Sequence, residues 1–314
     1  MIFVLIKQVV ELFDILDGPD ASGENVKNYM LSLGAEERNV KVTKMQGKKG
    51  VTDFIKIKIP GVSGKTVGGV SPTTGIVGRL GGLGARPEII GFVSDGDGAL
   101  VALSAAAKLL EMKQRGDHLP GDVIVCTHIC PDAPTSPHNP VPFMGSPVNM
   151  QQMNEEEIDQ EMDAILSVDT TKGNRIINHR GFAISPTVKE GYILKVSEDL
   201  LDIMQITTGQ LPKVFALSNQ DITPYGNDLF HINSILQPAT ATDVPVVGVA
   251  ITTETMVAGC ATGATNVNDL EQAGRFVIEV AKAFGSKRCN FYDEEEFEKL
   301  VAKYGSMKHM QKLI

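Results

Sequence analysis

From residue 88 onward the chain alternates short apolar runs with longer stretches whose apolar residues recur at helical spacing, and this rhythm restricts the fold more than any other feature. The runs EIIGFVS (88–94), DVIVCTHI (122–129), AILSVD (164–169), KVFALSN (213–219) and VPVVGVAIT (244–252) read as strands. GALVALSAAAKLLEMKQRG (98–116), SEDLLDIMQITTG (197–209) and DLEQAGRFVIEVAKAFG (269–285) read as helices. Strands that are apolar on both faces belong inside a sheet covered on both sides, which is the condition of parallel strands joined by helices. The expected class is α/β with a mostly parallel central sheet.

Upstream the pattern differs. MIFVLIKQVVELFDIL is broken by Lys7, Glu11 and Asp14 and reads as an amphipathic helix rather than a signal peptide. SGENVKNYMLSLG reads as a second helix, carrying Val26, Tyr29, Met30 and Leu33 on one face and ending in Gly34. NVKVTKM and DFIKIKI alternate apolar and polar residues around QGKKG, as a half-buried antiparallel pair would. Residues 61–87 hold nine glycines but end in Arg86-Pro87 and lead into an expected strand rather than a helix. They therefore read as tight turns and close backbone packing, not as a phosphate cradle.

The chain has 314 residues, 42% hydrophobic and 21% charged, with a formal charge of −9 and no basic run longer than a few residues. Nucleic acid is not an expected partner, because phosphate binding needs clustered Lys and Arg. No stretch approaches the roughly 18 to 20 apolar residues of a membrane span, so no membrane partner and a cytoplasmic location are expected. The four cysteines, Cys126, Cys130, Cys260 and Cys289, are too few for a disulfide scaffold and are expected reduced. No internal repeat or boundary divides residues 1–314. A loop rich in proline and histidine and the acidic segment MNEEEIDQEMD make an excursion at about 131–163, the acidic run reading as a solvated helix face.

Ligands of an open α/β sheet bind beyond the carboxyl ends of its strands. The expected strands run into Asp95 and Asp97, Cys130 and Asp132, Asp169, Asp221, and Glu254. One carboxylate of the pair Asp95 and Asp97 suits a helix cap, a role of about 1 kcal/mol. Several together repel one another unless a cation sits among them, so the cluster suggests a divalent metal. In CTHIC, the residues Cys126, His128 and Cys130 alternate and would share one face; thiolate and imidazole are zinc ligands, but a buried core role for Cys126 is the simpler reading. His138 and His231 fall in segments where active-site loops belong, and the remaining histidines read as surface residues.

On these residues the chain resembles the co-catalytic di-metal exopeptidase superfamily of glutamyl and deblocking aminopeptidases and carboxypeptidase-like deacylases, as a divergent branch. ASGENVKNYMLSLGA and VSDGDGALVALSAAAKLL stand where that family has its opening helix and its bridging Asp before an alanine-rich helix. The resemblance implies a three-layer αβα sandwich with a mixed, mostly parallel sheet. It places Asp95 as the bridging ligand, Asp169 as a second ligand at the end of ILSVD, Asp97 in support, and Asp228 of GNDLFHINSI near the substrate. His128 and Cys130 are further candidate metal ligands, Asp132 a replacement for the family's general base, and His231 and His138 candidate substrate contacts. The family's first histidine ligand is missing from GIVGRLGGLGARP, its glutamate pair is replaced by the stretch from His128 to Asp132, and at its last histidine MVAGCATGA offers only Cys260.

Two functions are therefore expected. One is a hydrolase of an amide bond in a small peptide or acylated amino acid, dependent on zinc, manganese or cobalt, with Asp97 and Asp132 in proton transfer. The other is a non-catalytic scaffold of the same fold that binds an amino acid or peptide or serves as an assembly subunit, a homo-oligomer in either case. Thiol redox chemistry at CTHIC is the weakest alternative, because the cysteines lack the helix N-terminal setting that lowers a thiol pKa.

Overall fold

The computed structural model describes residues 5–137, 139, 142–224, 235–257 and 264–312. Two helices open the chain, α1 (Ile6–Asp17) and α2 (Gly23–Ser32). Val9, Leu12 and Leu16 of α1 are buried at helical spacing, and the Ser22 hydroxyl caps α2 by accepting from the Asn25 N–H. β1 (Val40–Gly47) and β2 (Gly50–Ile59) then pair antiparallel, as their alternation requires.

The α/β part follows with β3 (Thr74–Gly78), α3 (Asp97–Gln114), β4 (Val123–Ile129), a small hairpin of β5 (Thr135–Ser136) and β6 (Phe143–Met144), α4 (Met150–Glu157) and β7 (Ala164–Thr170). Next come β8 (Gly181–Ile184), β9 (Val188–Lys189), β10 (Tyr192–Ile193), α5 (Glu198–Thr208), β11 (Val246–Thr252), α6 (Val267–Gly285) and α7 (Glu294–Tyr304). The main sheet runs β1-β2-β4-β3-β7-β11-β9-β10, with β8 also on β11. Its centre, β4-β3-β7-β11, is parallel, and antiparallel strands flank it on both sides.

The sheet is the middle of three layers. On one face α1, α3 and α6 pack over Ile55, Ile57, Ile76, Val125, Leu166, Val168 and Val249 in the larger core. On the other face Val77, Ile124, Cys126, Ile165 and Ala250 meet Phe215, Ile222 and Leu236, with α4 over β2 and β4. The alternation of Ile124 and Cys126 with Val123 and Val125 between the two cores is the period-2 signature of a strand covered twice. Among the described residues no helix is long and apolar enough to cross a membrane.

Four expectations need correction. EIIGFVS is not a sheet strand: Ile89 and Val93 pair only with the arm at Ala85 and Leu83, and Ile90 is exposed. Its apolar residues part company: Phe92 meets Phe13 of α1 with ring centroids 5.2 Å apart, while Ile89 and Val93 join a small cluster with Ala85 and Cys130. KVFALSN contributes one bridge, Val214 to Ile184. The acidic run is not a solvated helix: α4 ends at Glu157, and Glu157 is buried. Within the glycine-rich stretch, residues 74–78 form the central strand rather than a turn.

Candidate functional site

The order of the parallel strands locates the site. From β3 the chain passes through α3 to β4 on one side, and later returns to lay β7 on the other side of β3. The strand order therefore reverses at β3, and the crevice beyond the carboxyl ends of β3 and β7 is the switch point at which α/β sheets bind ligands.

The segment Asp95-Gly96-Asp97-Gly98 fills this point. A Cβ on Gly98 would stand 2.5 Å from the Val168 carbonyl oxygen and 2.7 Å from that of Arg79, so only glycine lets the first turn of α3 sit across the ends of both strands. Gly78 makes the reciprocal approach, its Cβ position lying 2.8 Å from Ala99 Cα. The glycines exist to bring the carboxylates in. Neither Asp side chain caps α3.

Asp97 is fully buried, and two groups meet its carboxylate: the Thr265 hydroxyl donates to Oδ1 at 2.7 Å, and the Lys172 ammonium donates to Oδ2 at 3.2 Å. Burial pushes the Asp97 carboxyl up to about 6, against the pull of Lys172 and Thr265. Asp95 Oδ2 accepts from the N–H of Gly81 at 2.9 Å and of Gly82 at 3.4 Å. Burial raises its pKa also; the two N–H groups and the charges of His128 and Lys172 oppose the rise. Asp269, in the first turn of α6, is raised by burial and drawn down chiefly by Lys172. Lys172 thus pairs directly with Asp97, and its charge also draws down the pKa of Asp95 and Asp269.

One layer further along the strands lies a second charged group. Extending the β3 register by one residue sets Arg79 beside Asp169 on one side and His128 on the other. Arg79 Nη1 donates to Glu157 Oε2 at 2.5 Å, its other terminal nitrogen meets Met150 Sδ, and His128 Nδ1 lies 2.9 Å from Glu157 Oε1. The side chains of Arg79, Glu157 and His128 are all closed to solvent. Burial alone would raise the Glu157 carboxyl, but the Arg79 charge and the His128 bond hold it below the usual range. His128 packs against its cross-strand neighbour Phe54, the tilted rings 5.2 Å apart at their centroids, and its Nε2 is a buried atom with no hydrogen-bond partner among the described residues.

The other expected site residues spread. Asp169 is buried at the end of β7 and accepts from the Thr170 N–H at 2.7 Å. Asp132 is exposed, tied by its backbone to Ala85. Cys126 packs in the core beneath α4, and Cys130, beyond the end of β4, packs with Ala85, Val93, Ala133 and Met144. Cys126 and His128 therefore share the α4 face of β4, whereas Cys130, past the end of the strand, packs apart from them. Asp221 closes a local turn onto the Ser218 N–H and hydroxyl, and Glu254 is exposed. Asp228, His231, His138 and Cys260 lie outside the described residues.

Arg79, Glu157, Lys172, Thr265 and Asp269 were not singled out from the sequence. Glu157 had a legible signal: Met150, Met153, Asn154 and Glu157 fall at i, i+3, i+4 and i+7, the stripe of an inward helix face. Lys172 and Thr265 follow no pattern of their own; only the fold brings them to Asp97.

The donor set can be tested against a divalent metal. Among the described residues no three of His, Cys, Asp and Glu come together so as to hold one. Asp97 is already matched by Lys172, and Glu157 by Arg79. The described residues therefore do not make a metal centre by themselves. A separate cavity of about 510 Å³ lies beside α4, lined by Gln151, Asn154, Gln237 and Gln311 among others. It holds none of the crevice's charged residues.

In the comparison with solved structures the chain is similar to the crystal structure of the Legionella pneumophila LapA aminopeptidase, at 9% identity and a TM-score of 0.47, over 92% of this chain and 71% of that one. No curated protein matches the sequence. The profile of a family described as a protein of unknown function, DUF1177, matches residues 43–313. Since that match spans most of the sequence, the chain belongs to the DUF1177 family.

Proposed function

We propose that this chain hydrolyses the amide bond of a small peptide or acylated amino acid in the crevice beyond β3 and β7. The observation that supports the reading is the meeting of a hydroxyl and an ammonium on one buried carboxylate, Thr265 and Lys172 on Asp97. A carboxylate buried beside a cation at a strand-end crevice is the setting in which proton carriers are found. Asp97 would take a proton from a water as the water oxygen adds to the carbonyl carbon, and would return that proton to the amine nitrogen as the C–N bond breaks. The Lys172 ammonium would oppose the negative charge that grows on the carbonyl oxygen, in a site with little water to weaken the effect. Asp97 has this role rather than Asp132, whose side chain is open to solvent.

The metal-dependent form of the same hydrolysis draws on one observation, the unpartnered Nε2 of His128, whose Nδ1 is oriented by Glu157 as metal-binding histidines are oriented by carboxylates. The test is amine release from a panel of dipeptides and N-acyl amino acids, followed by mass spectrometry, with wild type and Asp97→Asn. Release by the wild type that falls at least about 100-fold in the variant supports the reading. Binding of panel members without release would favour the non-catalytic scaffold.

A further inference from the structure

We propose that the cavity beside α4 is a second binding site, for a small organic cation that donates N–H bonds, an alkylammonium or alkylguanidinium. The site shares no residue with the crevice, and the inference does not depend on the hydrolase reading.

The cavity, about 510 Å³, is walled by α4 and by the 3₁₀ turn Gln237–Thr240 with the residues just after it. That is the size range of small-molecule sites. Three carboxamides of its wall have their nitrogens committed to backbone carbonyl oxygens. Asn154 Nδ2 donates to Gln237 at 3.3 Å, Gln237 Nε2 to Thr223 at 2.8 Å, and Gln311 Nε2 to Ala239 at 2.8 Å and Thr242 at 2.7 Å. These bonds fix which end of each amide is oxygen, because a carbonyl oxygen can only accept. Asn154 and Gln237 are 6% and 1% exposed, and their amide oxygens are buried with no hydrogen-bond partner among the described residues. A buried acceptor left unmet is costly, so this wall is short of donors.

The charge of the wall points the same way. Among the described residues no Lys, Arg or His lines the cavity, whereas the exposed Glu155 does, its Oε1 accepting from Gln151 Nε2 at 2.9 Å. Both helical segments also bring their carboxyl-terminal ends to the cavity, α4 through Asn154 to Ile158 and the 3₁₀ turn through Thr240 to Thr242. Neither has a basic residue in its last turn, and the negative ends of aligned peptide dipoles favour a cation. A carboxylate ligand such as an N-acyl amino acid would meet acceptors and a like charge instead.

The test uses four compounds with one butyl-sized tail and different heads: butylammonium, butylguanidinium, neutral butyramide and anionic butyrate. Each is titrated by calorimetry into wild type, Glu155→Gln, Ala241→Phe, Asn154→Leu and Asp97→Asn, with the thermal midpoint read in parallel, since a ligand that binds only the folded chain raises it. The wild type is expected to bind one or both cations at one site, at least about tenfold tighter than butyramide and without binding butyrate. Ala241 is exposed at the rim, so Ala241→Phe should block the cavity without disturbing the core and abolish binding. Glu155→Gln should weaken the cations and leave butyramide unchanged, which a merely structural role would not do. Asn154→Leu removes one unmet oxygen and should weaken the cations at least about tenfold; should it fail to fold, the two rim variants decide. The proposal is overturned if neither cation binds, if butyramide or butyrate binds as tightly, if cation binding survives Ala241→Phe or a folded Asn154→Leu, or if Glu155→Gln weakens the cations no more than butyramide. Cation binding lost in Asp97→Asn would place the site in the crevice and overturn it as well. Cation binding as expected beside no amine release from any panel substrate would end the hydrolase reading and leave this one standing.

Discussion

Lys172 Nζ stands 3.2 Å from Asp97 Oδ2, with both side chains closed to water, one arriving from the end of β7 and the other from the first turn of α3. This pair joins the sheet to the helix that crosses its strand ends. It also sets how the fold responds to pH. Burial holds the folded Asp97 carboxyl near about 6, above the ordinary 3.8, so protonation favours the fold and that contribution fades as pH rises from 3.8 through about 6. Lys172→Met removes the charge that moderates this effect. The variant is expected to lose about 3–5 kcal/mol of unfolding free energy at pH 8, with a smaller deficit at pH 5, measured by urea denaturation at both. An equal deficit at the two pH values would show that Asp97 does not carry the coupling.

Glu157 holds Arg79 and His128 together with no solvent to share the load. Glu157→Ala should therefore cost about 3–5 kcal/mol, because it strands a buried guanidinium. Replacing both Arg79 and Glu157 with leucine should recover much of that loss, since no uncompensated charge remains. A double-variant cycle in denaturant reads the coupling, and additive losses would mean that the two charges act independently.

Gly98→Ala places a methyl group against two carbonyl oxygens that cannot rotate away. The expected loss is about 1–3 kcal/mol or more, as for other forced overpacking. Gly145→Ala is the matched control: its Cβ would meet the Pro134 oxygen at 3.5 Å, an ordinary contact, and its stability should be close to that of the wild type. Thermal unfolding of the two variants compares them directly.

The described thiols are expected to be unreactive in the folded chain. Burial pushes Cys130 and Cys289 up to about 12 and Cys126 higher still, and only the thiolate attacks alkylating reagents. A Cys260→Ala variant should take up no iodoacetamide at pH 8 until denaturant is added, when all three remaining thiols react. Uptake at Cys126 or Cys130 before unfolding would place those thiols in a different environment.

The parallel core was legible where a strand is apolar on both faces and a helix follows with its own period. AILSVD, DVIVCTHI and VPVVGVAIT, with the helices after residues 97 and 267, needed no tertiary information. EIIGFVS carries the same composition but spends it outside the sheet, on a contact of Phe92 with Phe13 of α1 and a small cluster at Ala85, and composition cannot tell these uses apart. The reverse error hid the central strand at Thr74–Gly78, whose glycines look like turns until α3 is laid over them. At the site, Asp95 and Asp97 announced themselves by their position between a run and a helix. Lys172 and Arg79 did not, because a basic residue near a strand end usually faces water. Glu157 was masked by Glu155 and Glu156, which share its composition but are rotated by about 100° per residue away from the interior.

A co-crystal with an N-acyl amino acid from the release panel tests most directly that the crevice between β3 and β7 is where the chain works. The ligand is expected against Asp97, Lys172 and Thr265, with its carbonyl oxygen toward the ammonium. A ligand seated instead in the cavity beside α4, among Gln151, Asn154, Gln237 and Gln311, with the Asp97–Lys172 pair untouched, would contradict it.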